Sequence, residues 1–470
     1  MRPLELLLIG TVFLALFLRF FPSQRWVWIV NLLAVSVMGL HLFRELPRWQ
    51  MVPLYALTVI LFIGSLPIWW ETSQRPGVGW TLLGLFVLVL FSLPPFAFPI
   101  PVPLVPSGPY GVGTSVFEWV DDTRDETLTD VPVGKRRIVV QVWYPAVVEP
   151  GTTPAPYMSN LAVQGPAVAR IFKLPSFALS HVNLAASHSY LNMPVVKGTG
   201  PLRTDERFPV LVFSHGWTGF RVQNTYQLEE LASYGYVVFA PDHSYGAAAT
   251  AFLDGTVAYN RPELLPSGVS DAQYEKAALK LGAVWAGDIG FVLDQAKKLD
   301  TGEIPSTLKG KMDLGTVGVF GHSMGGGAAV QFCDIDARCK AGLAMDAWLV
   351  PYSRDLPQKG ARVPFLFFQS ENWPNGPNAE LLPALYDLTQ GPAWRLTITG
   401  TKHYDFTDIA LLTPLAAPLG IKGPIDGPYD LKMINAYSVA YFDTVLRRKP
   451  PSALLLAPSP SYPEIRYEQK

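Results

Sequence analysis

Four apolar stretches open the chain, each cut from the next by a few polar residues. Leu4–Leu18 lies between Arg2 and Arg19, Trp26–Phe43 between Arg25 and Arg44, and Met51–Trp70 between Arg48 and Glu71; the fourth, from Trp80 to about Pro101, follows Arg75. Each approaches the roughly 20 residues a helix needs to cross a hydrocarbon core. Trp26, Trp49, Trp69, Trp70 and Trp80 gather at the ends, as interfacial aromatics do. A soluble reading would require four consecutive helices with almost no polar face. The pattern therefore predicts a bundle of four transmembrane helices over residues 1–105. The first helix reads as an anchor, because "LRFFPSQRW" after it puts Arg, Phe and Pro where a cleaved leader needs small side chains.

"PFAFPIPVPLVPSGPYG" follows, and its six prolines end any helix and make a stiff, extended linker. From residue 106 the pattern changes. Apolar β-type runs ("RRIVVQVWYP", "FPVLVFSHG", "YVVFAPDH", "TVGVFGHS", "AGLAMDAW", "VPFLFFQSE", "AWRLTITGTKH") alternate with helical ones, the longest being "DAQYEKAALKLGAVWAGDIGFVLDQAKKL". Several strands are apolar on both faces, as strands covered by helices must be. The alternation predicts an α/β domain over 106–470, a mostly parallel, helix-covered sheet led by two strands in hairpin relation. Residues 151–203 interrupt it with a Pro-punctuated helical segment suited to a cap over a site. Residues 449–470 read as a loosely held Pro-rich tail.

Composition adds compartment and excludes partners. The 470 residues carry a net charge of −1, so nothing favours nucleic acid. After the fourth apolar stretch no Lys or Arg occurs until Arg124, which suits an exported flank. The only two cysteines, Cys333 and Cys339, are close enough to close a small disulfide loop, which persists in an oxidising compartment; two separate buried thiols are the alternative. These features lean towards a multi-pass cell-membrane protein with its large domain extracytoplasmic. No Walker loop, HExxH or cysteine–histidine cluster is present, so no cofactor and no metal is implied.

The chemistry centres on "VGVFGHSMGGGAAVQF". G-x-S-x-G between a strand and a helix is a nucleophile elbow: the turn is so tight that Gly321 and Gly325 are needed, and Ser323 is pushed out above the sheet. A serine hydroxyl needs a histidine to take its proton and a carboxylate to orient that histidine. Of seven histidines, only His403, in "LTITGTKHYDF", lies C-terminal to the serine on the loop after the last predicted strand. His322 lies inside the elbow, facing away from the serine oxygen. For the acid, Asp346 and Glu371 both end strands that can reach a histidine, whereas Asp405 and Asp408 read as helix caps. The backbone N–H of Met324, directly after the nucleophile, is one oxyanion donor.

"VFSHGWTGF", "GHSMGGG", "LAMDAW" and "GTKHYDFTD", with "VQVWYPA" and "AGDIGFVLDQ", together resemble the platelet-activating factor acetylhydrolase branch of the α/β-hydrolases, close to dienelactone-hydrolase-like esterases. The resemblance spans roughly Ser115 to Arg448 and implies the α/β-hydrolase fold. It places the triad acid in an L-D-x-W setting, which maps onto Asp346 and Trp348 with Met345 in place of the Leu. It maps the base onto His403 and the second oxyanion donor onto the Trp217 N–H. "GHSMGGG" departs towards bacterial polyester and triglyceride hydrolases.

The expected function is a membrane-anchored serine ester hydrolase working through an acyl-enzyme. The expected substrate is a small-molecule or lipid ester, short-acyl phospholipid esters first. Phe172, Leu174, Phe177, Leu179 and Leu184 beside Arg170 and Lys173 suit contact with lipid. A general or polyester-type carboxylesterase, a peptidase or a haloperoxidase-like enzyme would use the same triad. A catalytically silent lipid- or partner-binding membrane protein is the alternative of another class.

Overall fold

The computed structural model describes the chain except residues 22–23, 67–76, 131–133, 197–206, 354, 372 and 374–377. Trp69, Trp70, Glu71, Arg75 and the 197–203 end of the expected cap lie outside the described residues. The chain divides into two compact units, with the main break between Pro101 and Val102.

The first unit is built on helices α1 (Pro3–Leu18), α2 (Gln24–Arg44), α3 (Val52–Ile63) and α4 (Val78–Ala97). Leu8, Val12, Leu16, Ala34, Leu54, Leu57, Leu61 and Leu88 form its core. The outward faces are equally apolar: Leu7, Phe13, Leu33, Ile60, Phe86 and Val89 are all exposed. Two helices, Arg25–Arg44 and Val78–Ala97, are long and apolar enough to cross a membrane; Pro3–Leu18 and Trp49–Ile63 are shorter. The four apolar stretches thus become helices of unequal length, because Pro53 resets the third near its start and the third stretch runs into residues outside the description. A buried ionic plug closes one end of the bundle. Arg48 grips Glu5 through Nε at 2.7 Å and Nη2 at 2.8 Å, and His41 lies between Glu45 (3.0 Å) and the Tyr55 hydroxyl (2.6 Å).

The second unit is organised by one ten-stranded sheet. In chain order it contains β1 (Gly111–Asp125), β2 (Lys135–Ala146), α5 (Leu161–Ile171), β3 (Ser189–Leu191), β4 (Phe208–Ser214), α6 (Thr225–Ser233), β5 (Val237–Asp242), β6 (Ala249–Ala251), β7 (Val257–Tyr259), α7 (Asp271–Thr301), β8 (Met312–His322), α8 (Met324–Ile335), β9 (Cys339–Met345), α9 (Leu356–Lys359), β10 (Phe365–Ser370), α10 (Asn378–Leu388), β11 (Ala393–Ile398), α11 (Ile409–Leu412), α12 (Gly427–Val445) and β12 (Ile465–Gln469). The sheet order is β12-β11-β10-β9-β8-β4-β5-β2-β1-β3, and β6 and β7 make a separate hairpin.

The centre, β5, β4, β8, β9, β10 and β11, is parallel. Every residue of β4, β5 and β10 is buried, which is why their sequences run apolar up to the polar residues at their carboxyl ends rather than alternating. β1 and β2 pair antiparallel from Gly111↔Ala146 to Asp121↔Arg136, the leading hairpin expected. Parallel pairing brings the carboxyl ends of β4, β8, β9, β10 and β11 to one edge, where ligands of open α/β sheets bind.

The tail corrects the expectation of a loose end. Ile465–Gln469 pairs antiparallel with β11, from Trp394↔Gln469 to Ile398↔Ile465, and Leu455 is fully buried with its carbonyl accepting from Trp394 Nε1 at 3.0 Å. Five residues are too short to announce a strand; their partner is distant in sequence. In the 151–203 segment, α5 packs on the β6–β7 hairpin through Ala167, Val168, Ala248 and Ala249, with Phe172, Leu179 and Phe220 against them.

Candidate active site

Ser323 occupies the one-residue turn between β8 and α8 with φ 56° and ψ −120°. A non-glycine side chain at positive φ is strained, and it is held here by backbone contacts on both sides. Ser323 N–H donates to Met345 O at 2.9 Å and its carbonyl accepts from Trp348 N at 2.8 Å. The glycines permit a backbone-on-backbone approach. A Cβ added at Gly325 would lie 1.9 Å from Ser214 O, and one at Gly321 would lie 2.4 Å from the Gly325 carbonyl.

Asp346 directly follows β9, also at positive φ (43°), and is wholly buried. Its carboxylate accepts from Ser370 N and Ser370 Oγ, both at 2.7 Å, and Oδ2 lies 3.1 Å from His403 Nδ1. A carboxylate with that many donors is acceptor-only, so Nδ1 carries the imidazole proton and Nε2 is left as the basic nitrogen. His403 begins a 3₁₀ turn, His403–Phe406, on the loop after β11. Ser323, Asp346 and His403 are thus gathered at the carboxyl edge of β8, β9 and β11. Among the described residues Ser323 Oγ makes no hydrogen bond to His403; resting catalytic contacts are often long and tighten with substrate.

Glu371 turns elsewhere, accepting from Gly400 N at 3.1 Å and pairing with Arg466 at 2.9 Å. Asp405 accepts from Lys402 N at 2.8 Å and pairs with Lys422. Asp408 caps a helix not its own: it accepts from Thr225 N at 3.0 Å and Tyr226 N at 3.3 Å at the start of α6, and from the Tyr157 hydroxyl at 2.5 Å. Burial pushes its carboxyl up to about 7, against those hydrogen bonds.

Gly216 packs on Ser323, since a Cβ there would lie 3.3 Å from Ser323 Cβ. Trp217 is the next residue. Met324 is the first residue of α8, whose leading N–H groups have no intrahelical acceptor. The Cys333–Cys339 disulfide is formed, joining the end of α8 to the start of β9.

Three further residues surround the site. His322 Nε2 donates to His403 O at 2.8 Å, so its Nδ1 accepts from Gln223 Nε2 at 3.1 Å, while Gln223 Oε1 accepts from Gly216 N at 3.2 Å. Burial, with His403 beside it, pushes the His322 imidazole well below its ordinary value, so it stays neutral. His322 thus holds the His403 backbone on one side and Gln223 on the other, contacts the G-H-S motif does not announce; nothing in "FRVQNT" marks Gln223. The indole of Trp373 stacks on His403, ring centroids 4.0 Å apart and planes at 21°. Among the described residues the cluster with metal-ligand spacing is Glu5, His41 and Glu45 in the first unit, where Arg48 and Arg2 already engage Glu5.

The family model for platelet-activating factor acetylhydrolase, isoform II, matches residues 105–449. The platelet-activating factor acetylhydrolase of Cavia porcellus is 29% identical over 264 residues, 53% of this chain and 60% of that protein; that of Canis lupus familiaris is 31% identical over 265 residues, 51% and 58% respectively. The match thus spans about three-fifths of these curated relatives. A probable 1-alkyl-2-acetylglycerophosphocholine esterase of Arthroderma benhamiae is 25% identical over 418 residues, 82% of this chain and 98% of that protein. The structure of a ferulic acid esterase from Streptomyces cinnamoneus superposes with a TM-score of 0.61 at 24% identity, covering 77% of this chain and 98% of that one. That likeness gives the fold, an α/β-hydrolase. With the family match covering well over half its length, the chain belongs to the platelet-activating factor acetylhydrolase, isoform II, family.

Proposed function

We propose that the chain is a serine-dependent carboxylic ester hydrolase. Ser323 Oγ attacks the ester carbonyl carbon while His403 Nε2 takes the hydroxyl proton, and Asp346 stabilises the imidazolium. The carbonyl π pair moves onto oxygen, where the N–H groups of Trp217 and Met324 receive it. Collapse of the tetrahedral intermediate expels the alcohol, which takes the proton back from His403. Water, deprotonated by His403, then attacks the acyl-enzyme carbonyl, and as the second tetrahedral intermediate breaks its bond to Oγ the proton passes from His403 to Ser323, releasing the acid and the free hydroxyl. The observation that carries this reading is the His403–Asp346 hydrogen bond beside a serine held in a strained elbow. Ser323→Ala tests it: hydrolysis of a nitrophenyl acetate is abolished with thermal stability retained, and full activity in that variant would refute it.

The proposal extends to setting and substrate. Helices apolar all round, with Phe13, Phe86 and Val89 exposed, are supported in lipid rather than water, so the first unit is proposed as a multi-pass membrane anchor. The disulfide supports an extracytoplasmic catalytic domain. Short-acyl esters presented at a lipid surface are the proposed substrates; the names of the relatives, an acetylhydrolase and a probable 1-alkyl-2-acetylglycerophosphocholine esterase, support the short acyl group. In the cap, Phe177, Lys173 and Arg170 are exposed, while Phe172 turns inward with its ring 6.1 Å from that of Tyr404, the neighbour of His403.

A further inference from the structure

Behind the loop that carries Trp217 lies a second serine, histidine and aspartate in hydrogen-bonded series. Ser214 Oγ, at the end of β4, is 2.9 Å from His243 Nε2, and His243 Nδ1 is 2.9 Å from Asp288 Oδ2 in α7. All three are fully buried, and the Trp285 indole stacks on His243 with centroids 4.1 Å apart, sealing the series from water. A serine that no substrate can reach is not a second nucleophile. The series must act through what it touches.

Its protons can be assigned. Asp288 accepts from Arg136 Nε at 3.1 Å and Nη2 at 2.7 Å, and from Arg124 Nη2 at 2.9 Å. Burial would push its carboxyl up, but the Arg136 guanidinium and the hydrogen bonds from His243 and Arg136 hold it well below the usual range, so it is ionised and accepts only. His243 is pushed down by burial against the pull of Asp288, so it is neutral, with its one proton on Nδ1 and Nε2 accepting from the Ser214 hydroxyl.

The backbone N–H of His243 donates to His215 Nε2 at 3.1 Å. Burial, with His243 beside it, also keeps His215 neutral, so its proton is on Nδ1, which lies 2.7 Å from Gly216 O. The same oxygen accepts from Gly219 N at 2.8 Å. In a planar trans peptide the carbonyl and the following N–H point in opposite directions. Holding the Gly216 carbonyl against His215 therefore aims the Trp217 N–H the other way, from a loop whose residue 216 rests on Ser323.

We propose that Ser214, His243, Asp288 and Arg136 form a buried positioning relay that, through His215, fixes the Gly216–Trp217 peptide plane and so the aim of the oxyanion donor. The inference rests on the serine-hydrolase reading and gives one of its parts a support.

The test uses the full-length chain in detergent micelles, with nitrophenyl acetate as substrate and a trifluoromethyl ketone as the probe that forms an oxyanion on Ser323. Losing an oxyanion donor costs about 100- to 1,000-fold in rate. A donor mis-aimed rather than lost should cost roughly 10- to 100-fold in kcat, with KM little changed. His215→Leu is expected to show that loss and to weaken the ketone by a similar factor. His215→Asn, whose amide can still donate to Gly216 O, should recover most of both. Should His215→Leu fail to fold, Ser214→Ala against His215→Asn decides, with a smaller parallel loss in kcat and ketone affinity expected for the former only. Folded His215→Leu or Ser214→Ala with wild-type kcat and ketone affinity overturns the relay while Ser323→Ala remains inactive. A wild-type chain inert to both reagents, or an active Ser323→Ala, overturns the hydrolase reading and the relay together.

Discussion

At the scale of single residues, strain and satisfaction are paired. Ser323 and Asp346 both sit at positive φ, and each is clasped by main-chain hydrogen bonds from a neighbouring strand end: Ser323 N to Met345 O, and Asp346 N to Phe368 O at 2.9 Å. The two carboxylates open to choice in the sequence separate clearly, because Asp346 faces His403 Nδ1 and Glu371 faces Gly400 and Arg466. Asp346→Asn should leave His403 in the wrong tautomer and lower kcat by roughly 10,000-fold, the figure the protease precedent gives. Glu371→Gln should change kcat less than about tenfold, since it loses only an exposed ion pair. Steady-state kinetics on the two variants checks the ranking; a larger loss at Glu371 would move the orienting role there.

At the scale of elements, the links between segments carry the measurable energetics. The disulfide joins α8, which follows Ser323, to β9, which precedes Asp346, through a short loop, for which chain-entropy reasoning gives about 2 kcal/mol. The Cys333→Ala, Cys339→Ala double variant should lose that much in denaturant melts while kcat stays near wild type. Two buried acids link α6 to the 151–203 segment. Asp408 bonds Tyr157, and Glu229 accepts from His188 N at 2.9 Å; burial pushes the Glu229 carboxyl up to about 8. Both folded-state values lie above the ordinary ones of 3.8 and 4.5, so between them the native state holds protons the unfolded chain has lost. Stability therefore falls as pH rises from about 4 towards 8. Asp408→Asn should flatten part of that slope in melting temperature against pH, and an unchanged slope would contradict the assignment.

The same scale shows what could be read without coordinates. The parallel strands and the elbow were legible because buried strands are apolar on both faces and the G-x-S-x-G turn needs its glycines. The three-residue strands β3, β6 and β7 were not, since three residues carry no period. β12 was not, since its pairing is decided by β11 some seventy residues earlier. In the site, Asp408 was legible as a helix cap, but sequence distance hides which helix it caps, the one that begins at Thr225. Gln223 and His243 carry no motif, and Asp288, though inside "AGDIGFVLDQ", shows no role there; only the fold brings them to the loop that carries Trp217.

For the whole molecule, the proposed anchor and the exposed side chains of the 151–203 segment bear on where the substrate is met. Phe177 is 53% exposed, whereas Phe172 packs against Tyr404, so the two phenylalanines should behave differently. Phe177→Ser is expected to lower kcat/KM for a short-acyl phospholipid in vesicles several-fold, roughly what the loss of one membrane-inserted aromatic implies, and to spare a soluble ester of the same acyl chain. Phe172→Ser should reduce both. Equal effects of Phe177→Ser on the two substrates would remove the lipid-facing role and leave a general esterase. Whether Ser323 is the acylated nucleophile can be read from a serine-reactive fluorophosphonate with peptide mass spectrometry and a parallel hydrolysis assay. One adduct is expected, on Ser323, formed in proportion to lost esterase activity, and none in Ser323→Ala. An adduct on a different residue, or hydrolysis that survives complete modification of Ser323, would contradict it.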